Sequence, residues 1–310
     1  MSTQIEATLL TEGFGATTSQ KKMPHQHVPD ESFFKRLSTL HVLVKRRFQG
    51  QTGLWTTPRA GMSLEFAEYR EYYPGDDFRY VDWNLYGRLD RLFVKVFQRE
   101  EDVPIYLLID TSRSMAVGDK LSYATQLAGA IAYLGLKEMN RVGIFPFAHD
   151  LAQGVPPRAG MAHLHNVFTF LGALASGGQT SLNETLEQFS RLPLRSGLVV
   201  LLSDMLDHQG YEHGLLHLLF KRFDIVLVQI LSADDIDPPV RREARLSDSE
   251  EHFEFSVGAD AASRYRDNLH EYEKSLESFC RERQIRYVLL STAQPLERAL
   301  FEDLRGVLFQ

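Results

Sequence analysis

Apolar and polar positions along the chain change rhythm twice, and each rhythm predicts a different kind of element. Over residues 30–48, Phe33, Phe34, Leu37, Leu40, Val44 and Phe48 recur at helical spacing behind Asp30, a good capping residue. They predict an amphipathic helix from about Glu31 to Phe48 with a basic opposite face. Such a stripe serves to dock a helix on its own core, or as a surface for a partner or membrane. Leu64–Tyr72 and Leu92–Phe97 then alternate as half-buried strands do, and Pro74-Gly75 marks a turn over 74–79. A small β element therefore precedes the main body of the chain.

From Ile105 onward, short continuous apolar runs alternate with helical stripes. Strands are predicted at Ile105–Asp110, Arg141–Phe147, Gly197–Ser203, Asp224–Leu231 and Ile285–Leu290. Helices are predicted at Leu121–Glu138, His163–Ala175, Leu182–Arg191, Tyr211–Lys221, Ala261–Arg283 and Pro295–Leu308. Runs such as Leu198-Val199-Val200-Leu201-Leu202 require burial on both faces, so the fold class is α/β with a doubly wound, mostly parallel, Rossmann-like sheet. Leu151–Val155 reads as a short antiparallel edge strand. Ala244–Asp248 and His252–Val257 read as a charged hairpin inserted near 243–258, able to pair with the strands around Leu92–Phe97. The expected organisation is a disordered tail over 1–29, where periodicity is missing, a helix plus β element over 30–100, and an α/β domain over 101–310.

Composition narrows the function classes. The 310 residues carry a formal net charge of −7, which argues against general nucleic-acid binding because phosphate contacts need a basic surface. No apolar run reaches the eighteen or so residues that span a bilayer, and no secretory leader is visible. One cysteine, Cys280, excludes an internal disulfide framework and suits a reducing compartment, with the thiol on the buried side of its helix. A cytoplasmic protein is expected.

The densest chemistry lies at Leu107-Leu108-Ile109-Asp110-Thr111-Ser112-Arg113-Ser114, an apolar strand that ends on a carboxylate and two alternating hydroxyls. Hard cations such as Mg²⁺ take oxygen ligands, and this spacing can point Asp110, Ser112 and Ser114 at one spot. A competing reading is that Asp110 and Ser112 cap the following helix. The pattern resembles the metal-ion-dependent adhesion site of von Willebrand factor A domains. That resemblance implies two further ligands: Thr180, from the loop Gly177-Gly178-Gln179-Thr180-Ser181, and Asp204, at the end of Leu201-Leu202-Ser203. The expected ion is Mg²⁺ or Mn²⁺, with a position left for a carboxylate from outside. Asp204 is followed by Met205, where eukaryotic von Willebrand domains commonly carry glycine.

A second constellation crowds acids, arginines and aromatics: Glu65-Phe66, Tyr69-Arg70-Glu71-Tyr72, Pro74-Gly75-Asp76-Asp77-Phe78-Arg79, Asp82-Trp83, Arg88 and Arg91. This segment resembles the signature of the bacterial DUF58 family, which places such a stretch before a von Willebrand A core. The family's Gly-x-Gly stands here as Gly61-Met62-Ser63. The mixed charges suit an internal ion-pair network, or a docking surface formed by Asp76, Asp77, Arg79, Asp82, Trp83 and Arg88, with aromatic anchors.

An enzyme would most naturally be a Mg²⁺-dependent phosphohydrolase with Asp110 as nucleophile. That chemistry wants Asp-x-Asp, and position 112 is Ser. No nucleotide-cradling Gly-rich motif follows a strand, and no Gly-x-Ser-x-Gly elbow is present. His213 and His217, four apart, lack the Glu of a zinc-protease helix because position 214 is Gly. The reading is thus a non-catalytic, metal-assisted protein-binding module. The family resemblance implies a MoxR-type AAA+ ATPase and a protein client as partners, in chaperone-like maturation or assembly.

Overall fold

Strands that are apolar on both faces must be covered on both, and the computed structural model places them accordingly. It describes residues 37, 39–42, 64–99, 103–238, 245–247, 254–256 and 259–309. Contacts divide the chain into two compact units, one over Arg46–Asp102 and the other taking the rest.

In the smaller unit, β1 (Leu64–Glu71) pairs antiparallel with β2 (Phe93–Arg99), with a register shift between Phe66 and Glu68. Between them a 3-10 turn at Phe78–Tyr80 leads into α1 (Trp83–Leu89). The alternation rule does not foresee this helix, whose Trp83, Tyr86 and Leu89 are all exposed. Asp82 creates it by capping: its carboxylate accepts from the Asn84 and Leu85 amides at 3.0 and 3.2 Å.

The larger unit carries β3 (Pro104–Asp110), α2 (Lys120–Lys137), β4 (Arg141–Phe147), β5 (Val155–Arg158), α3 (Ala162–Gly172) and α4 (Leu182–Arg191). It continues with β6 (Leu198–Ser203), α5 (Glu212–Phe220), β7 (Asp224–Leu231), a short α6 (Ala233–Ile236), β8 (Arg245–Ser247) and β9 (Glu254–Ser256). It closes with α7 (Ala259–Glu282), β10 (Arg286–Ser291) and a single turn α8 (Leu296–Arg298). The sheet order is β10-β7-β6-β3-β4-β5, parallel throughout except for β5. The mostly parallel α/β architecture is as expected.

Side-chain alternation along each strand feeds two cores. Ile105, Leu107 and Ile109 of β3 pack with Leu127, Ile131, Val167 and Leu171 of α2 and α3. Tyr106 and Leu108 face Leu186, Phe189, Leu215, Leu218 and Cys280 of α4, α5 and α7. Cys280 thus sits where expected, and burial pushes its thiol up to about 12. From β3 the chain steps to β4 on one side and later returns to β6 on the other. The order therefore reverses at β3, and ligands of open α/β sheets gather outside strand carboxyl ends at such a switch point.

Four expectations need correction. The predicted helix over 31–48 is interrupted: Val42 forms a bridge to Phe309, and its amide donates to Glu138 Oε1 at 3.2 Å. Leu37, Leu40 and Val42 are buried in the α/β core, so this stretch belongs there and not with the β element. The helix expected over Pro295–Leu308 ends early, because Ala299–Asp303 widens into a π turn and Gly306, at φ +78°, reverses the chain so that its amide reaches Phe309 O. The edge strand lies at Val155–Arg158, not Leu151–Val155; Leu151 makes only a bridge to Phe147. Finally, among the described residues β8 pairs with β9, and β2 with β1. The tail over 1–29 lies outside the described residues, as does Gly61-Met62-Ser63.

Candidate metal centre

Asp110 and Asp204 reach the same edge because β3 and β6 are register neighbours, with Ile109 opposite Leu202. Both carboxylates are fully buried. Asp110 Oδ1 accepts from the Ser112 amide at 2.9 Å, and its Oδ2 accepts from Ser203 Oγ at 2.6 Å. The Ser112 and Ser114 hydroxyls lie 3.0 Å apart, Ser112 buried and Ser114 half-buried. Thr111, between Asp110 and Ser112, turns the other way, its hydroxyl donating to Phe147 O.

The loop bearing Thr180 is strapped to this turn by two backbone bonds: Gly177 N–H to Thr111 O at 2.7 Å, and Arg113 N–H to Gly178 O at 2.9 Å. Gly178 adopts φ +82°, a conformation that side chains disfavour, which explains the glycine there. Thr180 is buried beside these bonds. The Asp204 carboxylate accepts from the Leu206 amide, and Met205 holds φ +60°. That geometry costs a non-glycine residue about 1–2 kcal/mol. It is held by the Met205 amide donating to Ser203 Oγ, by the Tyr272 hydroxyl donating to Met205 O, and by complete burial of the side chain.

Sequence reasoning missed four participants. Lys120, only 1% exposed, donates to Asp204 Oδ2 at 2.7 Å and pairs with Asp235 Oδ2 at 2.9 Å. Burial works to lower its pKa, but Asp204 and Asp235 outweigh that and raise it. Asp235 is legible only as the far end of a capping box with Ser232. Ser203 directly precedes Asp204, and Gln229 Nε2 donates to Asp204 O at 3.0 Å; no periodicity marks either as polar partners.

Burial, and next the Asp204 charge, push the Asp110 carboxyl up to about 7. With all groups ionised, Asp110, Asp204 and Asp235 stand against the single ammonium of Lys120, an excess of two negative charges. Oxygen donors and that excess fit a hard divalent cation. Among the described residues no three His, Cys, Asp or Glu side chains are placed to hold a metal, so a cation would depend on the hydroxyls.

The charged constellation of the smaller unit resolves into local pairs. Arg70 meets Asp76 at 2.9 Å, Arg79 clamps Asp77 at 2.6 Å, Arg91 meets Glu71 at 3.2 Å, and Lys95 meets Asp82 at 3.1 Å. Lys95, then the Leu85 amide, hold the Asp82 carboxyl down at about 2. Trp83, 60% exposed, packs edge-on to Tyr86, and Arg88 is exposed on the same helix.

Residues 68–277, more than half of the chain, match the family described as protein of unknown function DUF58. The chain belongs to the DUF58 family. Uncharacterized proteins of Mycobacterium tuberculosis and Mycobacterium bovis are 26% identical to this DUF58 protein over 244 residues, 74% of its length and 75% of theirs. Among solved structures, the DUF58 chain is similar to BatB of Bacteroides thetaiotaomicron at 15% identity and TM-score 0.44, covering 64% of it and 95% of BatB. An aerotolerance-related membrane protein of Bacteroides fragilis matches at 14% and 0.43, covering 65% and 98%. A von Willebrand factor type A protein of Catenulispora acidiphila matches at 16% and 0.35, covering 45% and 35%. No helix among the described residues of the DUF58 protein is long and apolar enough to cross a membrane.

Proposed function

We propose that this DUF58 protein is a non-catalytic, metal-assisted protein-binding adaptor of the cytoplasm. In this reading Asp110, Ser112, Ser114, Thr180 and Asp204 hold Mg²⁺ or Mn²⁺. The ion supplies an electrophilic centre that an acidic side chain of a partner completes. The observation that carries the reading is the meeting of two buried carboxylates with a hydroxyl pair at the sheet's switch point, with negative charge in excess. Ser114 is half-buried, and the turn Ala116–Asp119 that follows it is exposed. The partner would be a MoxR-type AAA+ ATPase, with a protein client, as the family resemblance implies.

Phosphohydrolysis with Asp110 as nucleophile is the second reading. Asp110 is fully buried and each of its oxygens already accepts a hydrogen bond, which suits a fixed ligand better than an attacking group. Co-purification of the ATPase with wild-type protein, with and without chelator, and with Asp110→Ala tests the adaptor reading. Retention should require both metal and Asp110; equal retention in all samples would refute it. Mg²⁺-dependent turnover of phosphoesters, abolished in Asp110→Ala, would instead establish the hydrolase.

A further inference from the structure

We infer that Lys120 is a tethered internal cation that competes with the divalent ion for Asp204 and holds the metal affinity of this centre low. The inference rests on the metal reading above. Its own footing is geometric. The Lys120 ammonium lies 2.7 Å from Asp204 Oδ2, one of the two carboxylates assigned to the metal, and is as buried as that carboxylate.

The ammonium is fixed from the far side. Asp235 Oδ2, 2.9 Å from Nζ, also accepts from the Ser232 amide and the Ser232 hydroxyl, both at 2.8 Å. The Asp235 amide in turn donates to Ser232 Oγ at 3.1 Å. Ser232 is wedged against the turn that opens α2: a methyl group on Gly118 would fall 2.2 Å from Ser232 Cβ. Lys120 therefore has little room to swing aside. One positive charge permanently occupies a carboxylate that the ion would otherwise share, in a setting where charges are poorly screened. A site so weakened gains most from a carboxylate supplied by the partner, which makes stable cation capture conditional on docking.

The test is calorimetric titration of the full chain with Mn²⁺, comparing wild type, Lys120→Met and Asp235→Asn. Lys120→Met should bind Mn²⁺ roughly tenfold more tightly or better, the equivalent of about 1.4 kcal/mol. Asp235→Asn, which leaves the ammonium to Asp204 alone, should bind more weakly than wild type. Binding in Lys120→Met but not in wild type is the extreme form of the expected result. Unchanged or weaker binding by a folded Lys120→Met, with wild type binding normally, would overturn the inference and leave the metal centre standing. Failure of all three proteins to bind would sink the metal reading, and this inference with it. Should Lys120→Met unfold without metal, recovery of its helical signal on refolding with millimolar Mn²⁺ supports competition, and failure to recover overturns it.

Discussion

Replacing Lys120 with Met removes one charge while keeping an unbranched stem of similar length, so the metal-free protein should show what that charge does for the fold. An exposed ion pair is worth about 0.2–1 kcal/mol, whereas stripping one partner from a buried pair costs about 3–5 kcal/mol. Lys120 and Asp204 belong to the second case, each with a side chain 1% exposed. Asp235, at 16%, can partly rehydrate, so the cost falls mainly on Asp204. A loss of about 3–5 kcal/mol is a large part of the roughly 5–15 kcal/mol that ordinarily holds a domain folded. The double variant Lys120→Met with Asp204→Asn should regain much of it, because the fully buried Asp204 no longer carries an unpaired charge. Urea unfolding in chelator, followed by far-UV circular dichroism, reads this directly. Emission from Trp83 would not, since it lies in the unit over Arg46–Asp102. A loss below about 1 kcal/mol, the range of exposed pairs, or strict additivity of the two substitutions would refute the reasoning.

Three further outcomes are expected. In chelator, stability should fall as pH rises from about 4, the ordinary carboxylate value, toward about 7, where the raised Asp110 group titrates in the fold, because the native state keeps a proton that the unfolded chain has released. Melting temperatures across that range should lose this slope in Asp110→Asn; an unchanged slope would assign it to other groups. Gly118→Ala forces a side chain into φ +61° and against Ser232, and should cost about 2–4 kcal/mol from backbone strain and overpacking together. An unaltered thermal midpoint would contradict that packing. Trp83→Ala, at a residue 60% exposed, should change stability by less than about 0.5 kcal/mol, so a marked drop in the circular-dichroism midpoint would mean the ring is packed.

The central strands were legible in the sequence because burial on both faces writes itself as unbroken apolar runs. Leu198–Ser203 matches its expectation to within one residue, and Arg141–Phe147 and Asp224–Leu231 match at both ends. The positions of Asp110 and Asp204 followed, since each closes such a run. Periodicity reports that a side chain is buried but not what it touches. Leu304, Leu308 and Phe309 are all buried, yet the chain between them turns at Gly306 where a helix was expected. The Lys120–Asp204 pair joins residues 84 apart, and nothing local to either announces the other. The charged stretch over 70–95 was visible as a cluster, but its pairing within the unit depended on the hairpin and the Asp82 cap.

Gln229 sits on β7 with its carboxamide fully enclosed, receiving the Tyr287 hydroxyl at 2.7 Å from β10 and reaching the Asp204 carbonyl beyond β6. Sliding β7 by a single position would exchange Gln229 with Val228 or Ile230, sending the amide into an all-hydrocarbon layer and stranding two buried polar groups. This one glutamine thus works as an alignment pin for three neighbouring strands. Wrongly threaded forms of the sheet, otherwise nearly equivalent in greasy contacts, are discriminated against before any ligand arrives.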